Sequence, residues 1–361
     1  MRRTPALIIG GGPAGSAAAI MLARGGVAAT LVERRTEPHD VVCGGFLGWD
    51  TLATLERLKL DIFSLGARPI TRLRLVSGRH VLEVGLPRQA AGFSRKSLDA
   101  ALLSLAGAGG ATVRRGFAIR DVDPATRTAR LEDGEELTAE GLFLATGKHE
   151  LRGLARPPDF TREGAVGLRT VLRGGLQGKP LDGCVELHLF DGGYAGLLMQ
   201  EDGSSNLCLS VTKKRFSRAK SPGALVKALK DEAPLLGERV GHEDERHWQA
   251  IAGVPYGWRA DDTRDGLFRL GDQAAVISSL AGDGVAIALQ SGISAAKAFL
   301  RDGPSGAAAY QTAFSRQTKV PLGLADLLRG AAERPLSRPI LMRLAAVPGL
   351  ASWVSRLTRI T

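Results

Sequence analysis

Ala6-Leu7-Ile8-Ile9-Gly10-Gly11-Gly12-Pro13-Ala14-Gly15-Ser16 is the stretch that decides the fold. Its first four residues form a short apolar run of the kind a buried parallel strand needs. Gly10, Gly12 and Gly15 then space out as G-x-G-x-x-G, with Pro13 and Ala14 between the last two. A small-residue helix from Ser16 to Arg24 follows, closed by Gly25-Gly26, and a second apolar run, Ala28 to Val32, ends on Glu33. Each part has a physical job in holding a dinucleotide. Gly10 permits the tight turn out of the strand, Gly12 lets the backbone approach a pyrophosphate, and Gly15 lets the helix pack closely on the sheet. The helix N-terminus offers free N–H groups and a positive dipole end to the phosphates. Glu33 is placed to accept the hydroxyls of an adenosine ribose. Arg34 and Arg35 come directly after it, so a phosphorylated ribose is not strongly excluded.

The 361 residues suffice for one large or two intimately joined domains. Hydrophobic residues (44%) and charged residues (24%) are balanced as in an ordinary globular protein. The net charge of +11 favours an anionic partner, such as a phosphorylated cofactor, an acidic carrier or a membrane surface. No recognition motif or basic-aromatic stripe marks a nucleic-acid binder. Cys43, Cys184 and Cys208 are too few and too scattered for a disulfide framework or a zinc site, which points to the reducing cytoplasm. The first nine residues read as a strand, not a signal peptide, and no run of about 18 apolar residues is present to span a membrane.

Farther along, Cys43-Gly44-Gly45 lies in a loop suited to close approach to a ligand, and Thr51 to Leu60 is amphipathic. Arg72 to Gly85 alternates about a turn at Ser77-Gly78. Ser94 or Ser97 can cap a helix running to about Ala106. Residues 112–146 read as a β-meander that ends in the buried run Gly141 to Ala145. Runs at Val166–Leu172, Val185–Phe190, Tyr194–Met199 and Leu207–Val211 predict an antiparallel sheet, with Arg169, His188, Tyr194, Met199 and Gln200 as candidates to face a pocket. Leu267 to Leu270 is a further strand leading into Gly271-Asp272, and a small-residue helix starts at Gly284. The tail is Pro-punctuated, helical and basic. It suits either packing on the protein itself or a helix lying on an anionic membrane.

The order Gly10-x-Gly12-x-x-Gly15, Arg95-x-x-Leu98-Asp99 and Gly271-Asp272-x-Ala274 resembles the FAD-dependent oxidoreductases related to p-hydroxybenzoate hydroxylase, and equally their relatives the geranylgeranyl reductases. The resemblance covers roughly residues 5–300. It implies an α/β (α+β) fold: a Rossmann-type FAD-binding domain with a β-meander, interrupted by an antiparallel-sheet substrate domain and followed by a helical C-terminal tail. The corresponding division is 1–70, 93–155 and 263–318 for the FAD-binding parts, 71–92 and 156–262 for the substrate domain, and 319–361 for the tail. FAD is the implied cofactor and NAD(P)H its implied reductant.

On residues, the resemblance assigns the adenosine ribose to Glu33, with Arg34 beside it. Arg95 would meet the phosphates or ribityl, and Asp272, after Gly271, a ribityl hydroxyl. The N–H groups from Gly282 through Asp283 and Gly284 to Val285 would favour the anionic edge of the reduced ring. The family's usual Asp-Gly after the strand at 141–145 is here Thr146-Gly147-Lys148, which leaves Lys148 open between a phosphate contact and a solvated loop lysine. Cys43-Gly44-Gly45 resembles an element of the geranylgeranyl-reductase branch that lies near the flavin, where a thiol can tune or protonate an intermediate.

Two reactions and one non-enzymatic role are then in competition. The first is a monooxygenase acting through a flavin hydroperoxide on a hydrophobic or aromatic small molecule. The second is a flavin-dependent reductase of carbon–carbon double bonds, with Cys43 as its catalytic candidate. The third is a binder of lipidated protein that uses no flavin. A cytoplasmic enzyme with peripheral membrane contact through the basic tail is the expected setting.

Overall fold

A computed structural model of the chain describes residues 2–157, 164–173, 180–240, 247–261, 263–347, 349 and 357–359. Strand β1 (Arg2–Ile9) is the centre of the first sheet. It leads through the glycine turn into α1 (Pro13–Arg24) and β2 (Ala29–Glu33), which pairs parallel to it. Alternate residues of β1 serve different layers: Ala6 and Ile8 pack with the helices, Leu7 and Ile9 against the opposite face. That double burial is why the strand is a continuous apolar run instead of an alternating one.

The chain then leaves this sheet. β3 (Phe46–Leu47), α2 (Trp49–Arg57), β4 (Arg68–Ser77) and β5 (His80–Gly92) come next, with β3, β4 and β5 in a second sheet. The hairpin turns at Gly78, where Ser77 faces His80. Helix α3 (Arg95–Ala108) returns to the first sheet, and Ser94 caps it by accepting from the Ser97 N–H at 3.1 Å.

β6 (Thr112–Arg115) does not belong to the meander, as the residue pattern suggests, but pairs parallel with β2 as the outer Rossmann strand. Its short apolar–basic pattern carries no information on which neighbour it chooses. The meander proper is β7 (Ile119–Asp123), β8 (Thr128–Leu131) and β9 (Glu136–Leu144), and β9 comes back to lie parallel beside β1.

β10 (Ala165–Leu172), β11 (Cys184–Phe190), β12 (Gly193–Met199), β13 (Ser205–Val211) and β14 (Gln249–Val254) complete the second sheet, in the order β14-β10-β13-β12-β11-β4-β5-β3. It is antiparallel except at β11–β4, which run parallel, so the sheet is mixed. Helices α4 (Lys213–Ala219), α5 (Pro222–Glu232) and α6 (Pro234–Val240) belong to the same region. Leu225, Val226, Leu229 and Leu236 cover Leu168, Phe190, Leu197 and Leu209. On this covered side a buried Glu186 carboxylate accepts from Arg74 (2.7 Å) and Arg239 (2.9 Å) and pairs with His188 (2.7 Å). Those three cations and donors hold its pKa far below the usual carboxylate range despite burial.

β15 (Leu267–Arg269) rejoins the first sheet beside β9, with Phe268 opposite Phe143 and their rings stacked at 4.6 Å. Phe299 of α7 (Gly284–Asp302) meets both rings edge-on. A Cβ at Gly141 would collide with the Phe299 ring, and one at Gly292 of α7 with the Ala14 carbonyl of α1. The small residues of both helices thus set how closely they pack.

Helix α8 (Gly306–Glu333) runs straight through Pro321 and so crosses the 318/319 division expected from the sequence. Burial of Phe314, Leu322 and Ala325 in the main core offsets the proline's cost to the helix. α9 (Arg338–Ala346) follows. Residues 350–356 of the tail lie outside the described residues. Leu357–Arg359, however, are described, and Arg359 docks against Asp283, sits 4.3 Å over the Trp49 ring and lies 3.7 Å from Asp50. No helix among the described residues is long and apolar enough to cross a membrane.

Two outcomes test this packing. Gly292→Ala forces α7 off α1 and is expected to cost roughly 1–3 kcal/mol, read as a lower denaturant midpoint. Asp283 is fully buried, and burial pushes its carboxyl from 3.8 up to about 7, against the pull of Arg359. The folded chain therefore keeps a proton that the unfolded chain has lost, and this group's contribution to stability drains away as pH rises from 3.8 to about 7. The stability of Asp283→Asn relative to the native chain is expected to rise across that window and level off above it; a flat difference would refute the assignment.

Candidate cofactor and substrate site

The site is built where four loops and two helix ends meet. Gly10 turns with φ +109°, a conformation open to glycine, and a Cβ there would strike the Ala145 carbonyl. A Cβ at Gly15 would strike Gly10 O. At Gly12, which begins α1 without a side-chain cap, the nearest atom to an added Cβ is Arg95 Nη2 at 3.4 Å. The first amides of α1 therefore face a cradle bounded by a guanidinium. Pro13 at the first helical position has no N–H to leave unpaired there. Glu33 lies at the rim: its Oε2 accepts from the Gly11 N–H at 2.7 Å and its Oε1 from the Arg35 N–H at 2.9 Å. Arg34 donates to His149 Nε2 at 2.8 Å, and burial, then Arg34, pushes that imidazole's pKa down.

Arg95 makes a bidentate pair with Asp99 (2.9 and 2.8 Å), one turn along α3. Burial opposes the Arg95 charge, and Asp99 more than offsets it. The same guanidinium interacts electrostatically with Cys43 and Asp272, which brings the Cys-Gly-Gly loop and the Gly271-Asp272 turn to one place.

Lys148 is partly buried and paired. Its ammonium is 2.8 Å from Asp272 Oδ2 and holds the carboxylate in place. Burial opposes the lysine's charge and Asp272 outweighs it. The rest of the 146–149 loop is strapped to the same turn. Thr146 Oγ1 donates to His149 O, Gln273 donates to the carbonyls of Gly147 and His149 (both 2.9 Å), and Arg156 donates to the Asp272 and Lys148 carbonyls (2.8 and 2.9 Å). Arg156 and Gln273 have no sequence motif that marks them. Gly271 (φ +56°) donates its N–H to Ser291 Oγ at 2.7 Å.

At the far end Gly282 (φ +74°) turns against the Phe46 ring, and Gly284 and Val285 open α7 with no side-chain cap. The Asp283 carboxylate is engaged by Arg359, so what this turn presents is backbone amide.

The second sheet lays one face over these loops. Asn206, 163 residues from Cys43, donates to Cys43 O (3.0 Å) and Gly44 O (2.8 Å). Arg169 donates to Asn206 Oδ1 at 2.7 Å and pairs with Asp40 at 3.0 Å. Cys43 Sγ accepts from the Gly45 N–H at 3.5 Å. Cys208 lies close to Cys43, and burial pushes its thiol up to about 12. Tyr194 is buried on this face and bonded to Ser279; Ser279 is exposed and lies 2.7 Å from Tyr256 Oη, which in turn is 3.2 Å from Ser210. Gln200 lies beside Gly45. His188 and Met199 are on the opposite, helix-covered face, the former with Glu186 and the latter against the helical cluster, so they do not face the pocket. Strand alternation makes that a one-residue question, and local sequence does not decide it.

The donor set fits FAD on the structure's own terms: uncapped amides over an open glycine, an acid at the end of β2, and cations that ring the space between. Residues 3–150 match the FAD binding domain family. The chain is 26% identical over 373 residues to the menaquinone reductase of Mycolicibacterium smegmatis (strain ATCC 700084 / mc(2)155), covering 97% of this chain and 90% of that protein. It is 35% identical over 124 residues to the chloroplastic geranylgeranyl diphosphate reductase of Oryza sativa subsp. japonica, covering 33% of this chain and 26% of that protein. The fold is similar to that of the flavin-dependent brominase Bmp2, with a TM-score of 0.79 at 19% identity over 99% of this chain and 93% of the other. Residues 3–150 thus match an FAD binding domain, and by sequence the chain is similar to a menaquinone reductase and, over a third of its length, to a geranylgeranyl diphosphate reductase.

Proposed function

We propose that the chain is an FAD-dependent reductase that adds hydrogen across a carbon–carbon double bond of a hydrophobic, prenyl-bearing molecule, with NAD(P)H as the reductant. The supporting observation is the Cys-Gly-Gly loop gripped by Asn206 beside Arg95, Lys148 and Asp272, in a chain whose likeness to a menaquinone reductase runs nearly end to end. Menaquinone and geranylgeranyl diphosphate, the molecules after which these two relatives are named, share a prenyl chain.

FAD, when bound, supplies hydride chemistry. The protein's part is position, charge and a proton. The amides of Gly12, Ala14 and Gly15 and the Arg95 guanidinium would hold the pyrophosphate, Glu33 the ribose, and Asp272, fixed by Lys148, the ribityl. The amides of Gly284 and Val285 would favour negative charge on the ring. The hydroxyl chain runs from buried Tyr194 to exposed Ser279, which lies in the turn before those amides, and on to Tyr256. Burial keeps the Tyr194 hydroxyl protonated well above its usual range, so it can hold the proton that double-bond reduction requires.

The reading is tested by product mass. FAD-loaded protein reduced with NAD(P)H under anaerobic conditions is expected to convert a prenyl quinone or prenyl diphosphate to a product heavier by two hydrogens. A product that gains oxygen, and only when air is admitted, would establish the monooxygenase in its place. Tyr194→Phe is expected to slow turnover on the order of a hundredfold with FAD affinity unchanged. Cys43→Ala is expected to change the flavin spectrum as well as the rate; an unaltered spectrum and rate would remove Cys43 from the site.

A further inference from the structure

Helix α9 is apolar on two sides. Its inner side, Leu341, Met342 and Ala345, packs with Leu75, Leu189, Tyr194 and Ala332. Its outer side carries Ile340 (60% exposed) and Leu344 (49%), and it is flanked by Leu336 (92%) at the corner after α8 and Val347 (48%) at its end. Ile340, Leu344 and Val347 are spaced as one helical face. A surface helix of a globular protein has one apolar stripe and a polar back; here the back is leucine and isoleucine.

The charges on this segment have one sign. Between residues 334 and 347 stand Arg334, Arg338 and Arg343 and no aspartate or glutamate. Arg334 and Arg343 are exposed among the apolar side chains. The occupant of this face must therefore cover apolar surface and supply negative charge. A second copy of the chain would cover the apolar side chains but supply no negative charge: a two-fold contact sets the patch against itself, arginine against arginine, in a chain of net charge +11. An anionic bilayer does both, because an amphipathic basic helix in the interface buries its apolar side chains at the acyl boundary and keeps its arginines among the headgroups.

We infer that the outer face of α9, with Leu336 and Val347, docks the protein on an anionic lipid surface. The inner side of the same helix covers the end of the second sheet that bears Leu189 and Tyr194, so docking brings that end of the sheet to the membrane. The inference stands without the proposed reaction.

The test is co-sedimentation of the full chain with phosphatidylcholine vesicles, with and without phosphatidylglycerol. Binding is expected only to the anionic vesicles and is expected to fall with added salt. Arg334→Glu and Arg343→Glu are each expected to weaken it at least about fivefold, from roughly 1 kcal/mol per basic residue at an anionic surface. Leu336→Ser/Ile340→Ser/Leu344→Ser, which changes only exposed side chains and is checked by an unchanged Tm, is expected to abolish it. Docking through this face is overturned if the native chain ignores anionic vesicles or if the triple variant binds them as well as the native chain does. It is also overturned if the triple variant instead abolishes a lipid-independent dimer. Vesicle binding needs neither flavin nor turnover, so a failed reduction assay leaves this result untouched, and the reverse holds too.

Discussion

The structure depends on how closely α7 lies on α1. The contact is between backbones: Gly292 faces the Ala14 carbonyl, with Ala17 and Ala18 around it. Gly271 fits between the two helices against Ala14 and Ala288. Two helix N-termini, at Gly12 and at Gly284, and the Asp272 turn are thereby fixed in one neighbourhood by steric exclusion. Electrostatics then follows from sterics. Both termini expose unpaired amides, and a ligand with anionic groups at two places along its length meets both.

A second set of constraints ties the second sheet to this frame, and it is polar. Glu201, at the end of the β12–β13 hairpin, accepts from the Ser94 N–H (2.9 Å) and from the hydroxyls of Ser94 and Ser97 (both 2.5 Å) at the start of α3. The carboxylate thus reinforces the cap of the helix that carries Arg95. Asn206 and Arg169 hold the Cys-Gly-Gly loop from the other side. A displacement of the second sheet would be felt at Arg95 and Cys43 together. That gives the second sheet a direct mechanical connection to the loops around the glycine turn.

What the sequence made legible was local. The glycine turn, the acid ending β2, the Ser94 cap and the N-terminus of α7 are each marked by a residue pattern within one short segment. Asn206, Glu201, Arg156 and Gln273 could not be read that way, because their partners are up to 163 residues distant. β6 was misplaced because a short strand does not name its neighbour, and the parallel β11–β4 pairing was hidden for the same reason. His188 and Met199 show the limit within a strand. Whether a residue faces the pocket or the helices depends on a register that alternation alone leaves two-valued. Pro321 shows the converse, a strong local signal overruled by tertiary burial.

The cations around the site share one property that bears on function. Arg95 is held by Asp99, Lys148 by Asp272, and Arg156 by Glu150 (2.6 Å) and three backbone carbonyls. Each is thus positioned before a ligand arrives. Positions fixed by neighbours cost no ordering entropy on binding, and fixed charge stabilises an anionic form without reorganisation. The price is attenuation, since a paired lysine offers less field than a bare one. The arrangement therefore favours geometry over raw attraction, and its cations are fixed at set positions around the glycine turn and the second sheet.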